Sequence, residues 1–329
     1  MFFAIAMVAA GCACADIDRS ATSDEAAGAL AEKSPRADLV SCPATPVHLK
    51  VLYWLKERQA EDGSWGEGDG KVASTALATA AFLSACETPA SSDRFVLSGA
   101  QGQHPVAKAC DWLVRFVNAA EAQGDSRRSS SIDMPLTALA LAEAYGASRN
   151  QNLKRPAILC LRKVVDACSA VGEDAKDKDT LDLAMWSSLA LRAAKSARLE
   201  VYRRDQVLTR LEAILEKADY DSDGYYGGLQ RLRYANVKDH RNWVDWIKEH
   251  QRAFLESFVD AGRTADGVGI GYCRFPPSSA KSTGFGAVAD SALWVMGLQI
   301  AAERTLPLLP DNGKTNEIGN VEVPVHIDL

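Results

Sequence analysis

The chain reads as an all-α protein built from two layers of helices. Helical segments that are apolar on one face alternate with segments that are apolar on nearly every face. The alternation recurs about every 45–50 residues, the scale of a helical-hairpin repeat. With 329 residues, 47% hydrophobic and 24% charged, the chain can bury a large core. A charge-poor helix must be covered on every side, so it is expected to form an inner layer wrapped by the amphipathic ones.

Taken in order, His48 to Glu61 places Leu52, Leu55 and Gln59 near one face and Lys50, Lys56 and Glu57 on the other. Val72 to Cys86 carries no charge and is expected to be buried all round. The same pairing returns with His104–Ala120 and Asp133–Gly146, then with Leu153–Ala170 and Thr180–Ala194. A fourth amphipathic helix is predicted over 205–218. A fifth, over 242–260, precedes the apolar segment Gly286–Ala302. Leu229 to Asp239 is polar and short, so the fourth unit lacks an inner helix. About five units result. The tail from Leu306 to Leu329, with Pro307, Pro310 and Pro324, reads as an extended strap.

The first residues read as targeting, not fold. Phe2 to Ala10 is an uncharged apolar run of signal-peptide length, too short to span a membrane. It runs into Val8-Ala9-Ala10-Gly11-Cys12, which resembles a bacterial lipobox, although no Lys or Arg precedes the run. The expected organisation is a signal peptide over 1–11, a tether lipidated at Cys12 over 12–46, a helical domain over 47–305 and a tail over 306–329. That places the protein in a bacterial cell envelope, exported and lipid-anchored. An ordinary signal peptide on a soluble exported protein is the alternative.

Composition narrows the function classes. The formal net charge is −6 with no long single-sign run, which argues against a nucleic-acid partner. Seven cysteines remain beyond Cys12, and no pair has zinc-finger spacing. Cys86, Cys110 and Cys160 fall in apolar helical patterns, where a free cysteine acts as a small hydrophobe.

Periodicity alone does not choose between a ring and an open solenoid. Trp54-Leu55, Gln59, Gly63 and Trp65 have the spacing aromatic-Leu-x3-Gln-x3-Gly-x-Trp. This resembles the QW repeat of squalene–hopene and oxidosqualene cyclases and of the related prenyltransferase β-subunits. Lys50 fits the start of the pattern and Val51 departs from its small residue. Lys108 to Leu113 keeps the opening half, while Asp223–Gly228 and Asp266–Tyr272 keep the Asp-Gly-aromatic half. The resemblance covers roughly residues 47–304 and implies an α/α-toroid. In that family Gln59, Gly63 and Trp65 would brace helices and do no chemistry. Gly63 supplies freedom at a sharp helix exit, Gln59 satisfies orphan backbone groups, and Trp65 stacks over the turn.

The cyclases of this family carry Asp-x-Asp-Asp-Thr-Ala at the start of an inner helix, and its middle aspartate protonates an alkene. Ala287 to Ala292 matches only at Asp290, Ser291 and Ala292, with Ala289 at the acid position. Asp133 to Ala138 keeps only the first Asp, and Lys71 to Ala76 keeps none. Asp290 and Asp133 are therefore the candidate catalytic carboxylates. Each has a structural alternative, Asp290 as a first-turn carboxylate and Asp133 as an N-cap before Pro135. A zinc site of the prenyltransferase kind would need cysteine at Ala292, and His48, His104, His240, His250 and His326 are scattered, so no metal or cofactor is expected. Asp219 to Gly224 resembles half of a calcium loop, but Gln230 stands where the bidentate Glu belongs. Trp243 and Trp246, near Arg241, Lys248 and His250, offer either core or a surface patch.

Two function classes follow. One is a cyclase-like protein that binds or transforms an apolar, isoprenoid-type small molecule. The other is a non-catalytic envelope scaffold or protein-binding module that has lost the acid.

Overall fold

A computed structural model describes residues 47–85, 104–122, 131–172, 177–217, 256–265, 267–274 and 285–301, with side chains up to 296 in the last helix. Among these the chain is mostly helical, with eight α-helices and one two-stranded sheet. The helices are α1 (Val47–Glu57), α2 (Lys71–Ser84), α3 (Pro105–Ala122), α4 (Asp133–Ser148), α5 (Gln151–Ser169), α6 (Lys178–Ser196), α7 (Arg204–Lys217) and α8 (Ala287–Ala301). A 3₁₀ turn at Gly68–Gly70 leads into α2.

The charge-poor helices form one contiguous row. α8 packs on α2, α2 on α4, and α4 on α6, so the last helix in sequence lies against the first of the apolar set. The amphipathic helices lie against this row, α3 on α2, α5 on α4 and α7 on α6. The hydrophobic core sits between the two layers. Every residue from Ala73 to Ala85 is buried, and so is every residue from Pro135 to Gly146. By contrast α5 buries Leu153, Ala157, Cys160, Leu161 and Val164 and leaves Lys154, Arg155 and Arg162 in water.

Two expectations are corrected. The helix predicted over 242–260 does not extend to its end, because Phe258–Arg263 is strand β1, paired antiparallel with β2 (Gly269–Cys273). A wholly α fold is thus amended by one hairpin. The reason is local. Gly269, Gly271 and Cys273 alternate with Ile270 and Tyr272, a period of two with glycine on one face. Gly271 has no side chain where the Phe258 ring lies. Phe258 stacks on Trp294 of α8 (5.9 Å), and Tyr272 stacks on Trp54 of α1 (5.1 Å). The hairpin therefore wedges α1 to α8.

Four buried thiols line this core. Burial pushes Cys110 and Cys160 up to about 12, so neither is a nucleophile at neutral pH. Cys168 is raised by the same cause, and all of these cysteines, with Cys273, are free.

Gly63 has φ of 91°, and a Cβ there would strike the Lys108 carbonyl of α3. Gly262 has a similar φ of 94° but open space around it. Gly63→Ala should therefore cost more than the ~1–2 kcal/mol of left-handed strain that Gly262→Ala carries. Urea unfolding of the two variants checks this, and equal losses would contradict the close approach at Lys108.

Candidate functional site

The QW segment ties three helices together. After α1 ends, Gln59 Nε2 donates to the carbonyls of Gly63 and Pro105, each at 2.9 Å. Pro105 opens α3, so one side chain closes its own turn and fastens the next outer helix. Trp65 is buried, donates from Nε1 to the Leu55 carbonyl (2.6 Å), and stacks on Phe82 of α2 (6.0 Å). Asp62 accepts from the Ser64 hydroxyl and N–H and pairs with Lys71 at 3.0 Å. The Ser64 hydroxyl first, then its N–H and Lys71, hold the Asp62 carboxyl well below the ordinary carboxylate range, with partial burial opposing them. Lys71 also lies over the Trp112 ring, and Arg115 donates to the Asp62 carbonyl. Trp54 stacks with Tyr272 and carries Arg58 over its ring.

The three hexapeptides that align with the cyclase acid motif fall in one register. α2, α4 and α8 begin at Lys71, Asp133 and Ala287, and each has a fully buried hydroxyl as its fifth residue: Thr75, Thr137 and Ser291. Each hydroxyl is followed by Ala and Leu. Thr75 Oγ1 accepts from the Trp65 N–H (2.9 Å) and reaches the Trp65 carbonyl at 3.2 Å. Ser291 does the same for the hairpin, accepting from the Cys273 N–H at 3.0 Å and reaching its carbonyl at 3.4 Å. In α2 and α8 this position is a backbone clamp that seats a loop on an inner helix. Sequence reading quoted the three hexapeptides for their acids and missed their hydroxyls.

At the acid position of α8 the side chain is the methyl of Ala289, fully buried. Asp290 is 4% exposed and lies close enough to Cys273 to act on its thiol. Burial and, to a lesser degree, this carboxylate push Cys273 up to about 12, against a bond from the thiol to Ser257 (3.2 Å). Asp133 is 2% exposed, but it does not cap α4: Ile132 holds the N-cap position and Asp133 is the first helical residue. It sits one residue too far into the helix to accept from N2 or N3 as a cap does, and instead places its charge at the positive end of the dipole. α2 packs against both helices that carry these carboxylates and brings Lys71 and Ser74 to the equivalent positions.

Two further acids lie on the charge-poor helices. Glu143 is buried midway along α4. Asp182, in α6, is raised to about 6, chiefly by burial and slightly by Asp179, with Lys178 opposing. Neither was singled out from the sequence, and Asp182 shares its end of α6 with Lys178 and Asp179. Among the described residues no three His, Cys, Asp or Glu side chains gather as a metal would require. His104 precedes α3 and accepts from the Val106 N–H at 3.2 Å. Cys12, the half calcium loop at Asp219–Gly224 with Gln230, the repeat copy at Asp223–Gly228, and Trp243 and Trp246 with their basic neighbours lie outside the described residues.

The clamp distinguishes Thr75 from its counterpart. Thr75→Val leaves the buried Trp65 N–H without its acceptor and should cost about 1–3 kcal/mol. The Thr137 hydroxyl has no hydrogen-bond partner among the described residues, so Thr137→Val should be neutral or stabilising. Thermal unfolding decides, and equal losses would remove the clamp. For Asp182 the folded pKa lies above the unfolded one, so its penalty is absent below about pH 3, grows as pH rises from about 4 to about 6 and is constant above that. Asp182→Asn should raise the melting temperature at pH 7.5 and leave it nearly unchanged at about pH 3.

No protein-family model, curated protein or solved structure matches this chain, so its own residues carry the functional reading.

Proposed function

We propose that the chain is a non-catalytic cell-envelope module of the cyclase-like α/α-toroid type, lipid-anchored through Cys12. One observation carries the loss of catalysis. A ligand-sized cavity would leave accessible surface on the helices lining it, yet no residue from Ala73 to Ala85 is more than 5% exposed. The inner layer beside α2 is filled by the chain itself. Ala289 at the acid position supports the same reading, since a methyl donates no proton. Packing of α8 back onto α2 supports a ring. What remains is a rigid body with a wet outer layer, suited to holding or presenting other proteins.

A second reading is favoured by the buried carboxylates Asp133, Glu143 and Asp290. Charges are rarely buried without a use. On this reading the protein binds or transforms an apolar isoprenoid-type molecule, with Asp290 or Asp133 as the acid.

Full-length protein carrying Cys12→Ser separates the two. Solvent extraction followed by mass spectrometry should yield no stoichiometric isoprenoid, and added squalene or farnesyl diphosphate should not shift the melting temperature. A stoichiometric isoprenoid would overturn the scaffold reading and make Asp290→Asn the decisive variant. The unmodified chain should incorporate labelled palmitate when expressed in a bacterium, and the Cys12→Ser chain should not.

A further inference from the structure

Cations outnumber acids where α4 and α6 finish: Arg149, Arg198, Arg203 and Arg204 stand with the exposed Glu200 and with Asp205, which pairs with Arg204. Arg149 follows α4, and its Nη1 donates to the Ala197 carbonyl just past α6 (2.9 Å), so the α4–α5 and α6–α7 turns lie side by side. Three non-glycine residues among those described have positive φ, and all are arginines of these turns: Arg149 (54°), Arg198 (59°) and Arg203 (62°). Glycine or asparagine would relieve each of them. Tyr202, between the last two, is 84% exposed and is the one large apolar side chain fully in water among the described residues. α5 begins two residues after Arg149. There Lys154, Arg155 and Arg162 line an open groove with the half-buried Ile158 and Leu159, and Glu121 pairs with Arg155.

We propose that this end is a docking surface for an anionic phospholipid leaflet. The charge distribution selects the occupant. A chain of net charge −6 is repelled by an anionic surface everywhere except at a local excess of cations. Guanidinium groups meet phosphate oxygens in a planar, forked geometry. An exposed tyrosine suits the headgroup level, where its ring is covered and its hydroxyl stays wet. Ile158 and Leu159 between the α5 cations give the groove an apolar floor, which a purely ionic ligand would not use. Holding arginine in left-handed backbone where smaller residues would fit better is a strain retained for the side chain. The surface does not depend on the Cys12 anchor.

The test uses the full chain with Cys12→Ser and vesicles of phosphatidylcholine alone or mixed with phosphatidylglycerol. Sedimentation should show binding to the mixed vesicles only, weakening as salt rises. Each cation at such a surface contributes about fivefold, so Arg198→Glu with Arg203→Glu should lower partitioning at least tenfold. Arg198→Asn with Arg203→Asn suits the backbone better and should keep or raise the melting temperature while also losing vesicle binding. Lys217→Glu, at the far end of α7, should change nothing. Failure to bind either vesicle, equal binding to both, an equal loss with Lys217→Glu, or full competition by millimolar inorganic phosphate would each overturn the proposal. Failure here leaves the scaffold reading intact, because that reading is tested by extraction and not by vesicles.

Discussion

A helix that carries no charge from Val72 to Cys86 has no face to offer water, and the rest of this architecture follows from covering it. α2 is flanked by α4 and α8 and roofed by α3, and α4 is in turn flanked by α6 and roofed by α5. Fully burying a large apolar side chain is worth roughly 1.5–3 kcal/mol, so rows of Leu77, Leu83, Leu136, Leu139 and Phe82 supply the main driving force. The many alanines between them let helix axes approach closely at little side-chain entropy.

Burial alone does not fix how one layer is seated on the other. That falls to polar groups at the loops. Gln59 joins two turns, Trp65 spans from the end of α1 to α2, and Thr75 and Ser291 each hold both backbone groups of one residue in a passing loop. These bonds lie in a dry environment, where leaving a donor unmade costs more than making it gains. A buried hydroxyl at the fifth residue is common to α2, α4 and α8, and in α2 and α8 it holds a passing loop.

In the first turns of α8, Ala289 and Asp290 are both buried, and Asp290 lies against a hairpin seated by Ser291. Chemistry-bearing groups that remain are dispersed over α4, α6 and α8. By contrast, Arg149, Arg198 and Arg203 stand together in the turns that follow α4 and α6.

From the sequence by itself came the helical class, the two kinds of helix and most of their limits, because apolar periodicity and the lack of charge are local properties. Asp290 and Asp133 were legible through their partial match to an acidic hexapeptide, and Gln59, Gly63 and Trp65 as a spaced motif. Tertiary structure decided the rest. The hairpin at 258–273 depends on Phe258 finding Gly271 and Trp294, contacts between distant segments that no local pattern encodes. The hydroxyl clamps at Thr75 and Ser291 and the meeting of Arg149 with Ala197 likewise arise only when separate segments are brought side by side, since each is a property of a pair of segments and not of either one.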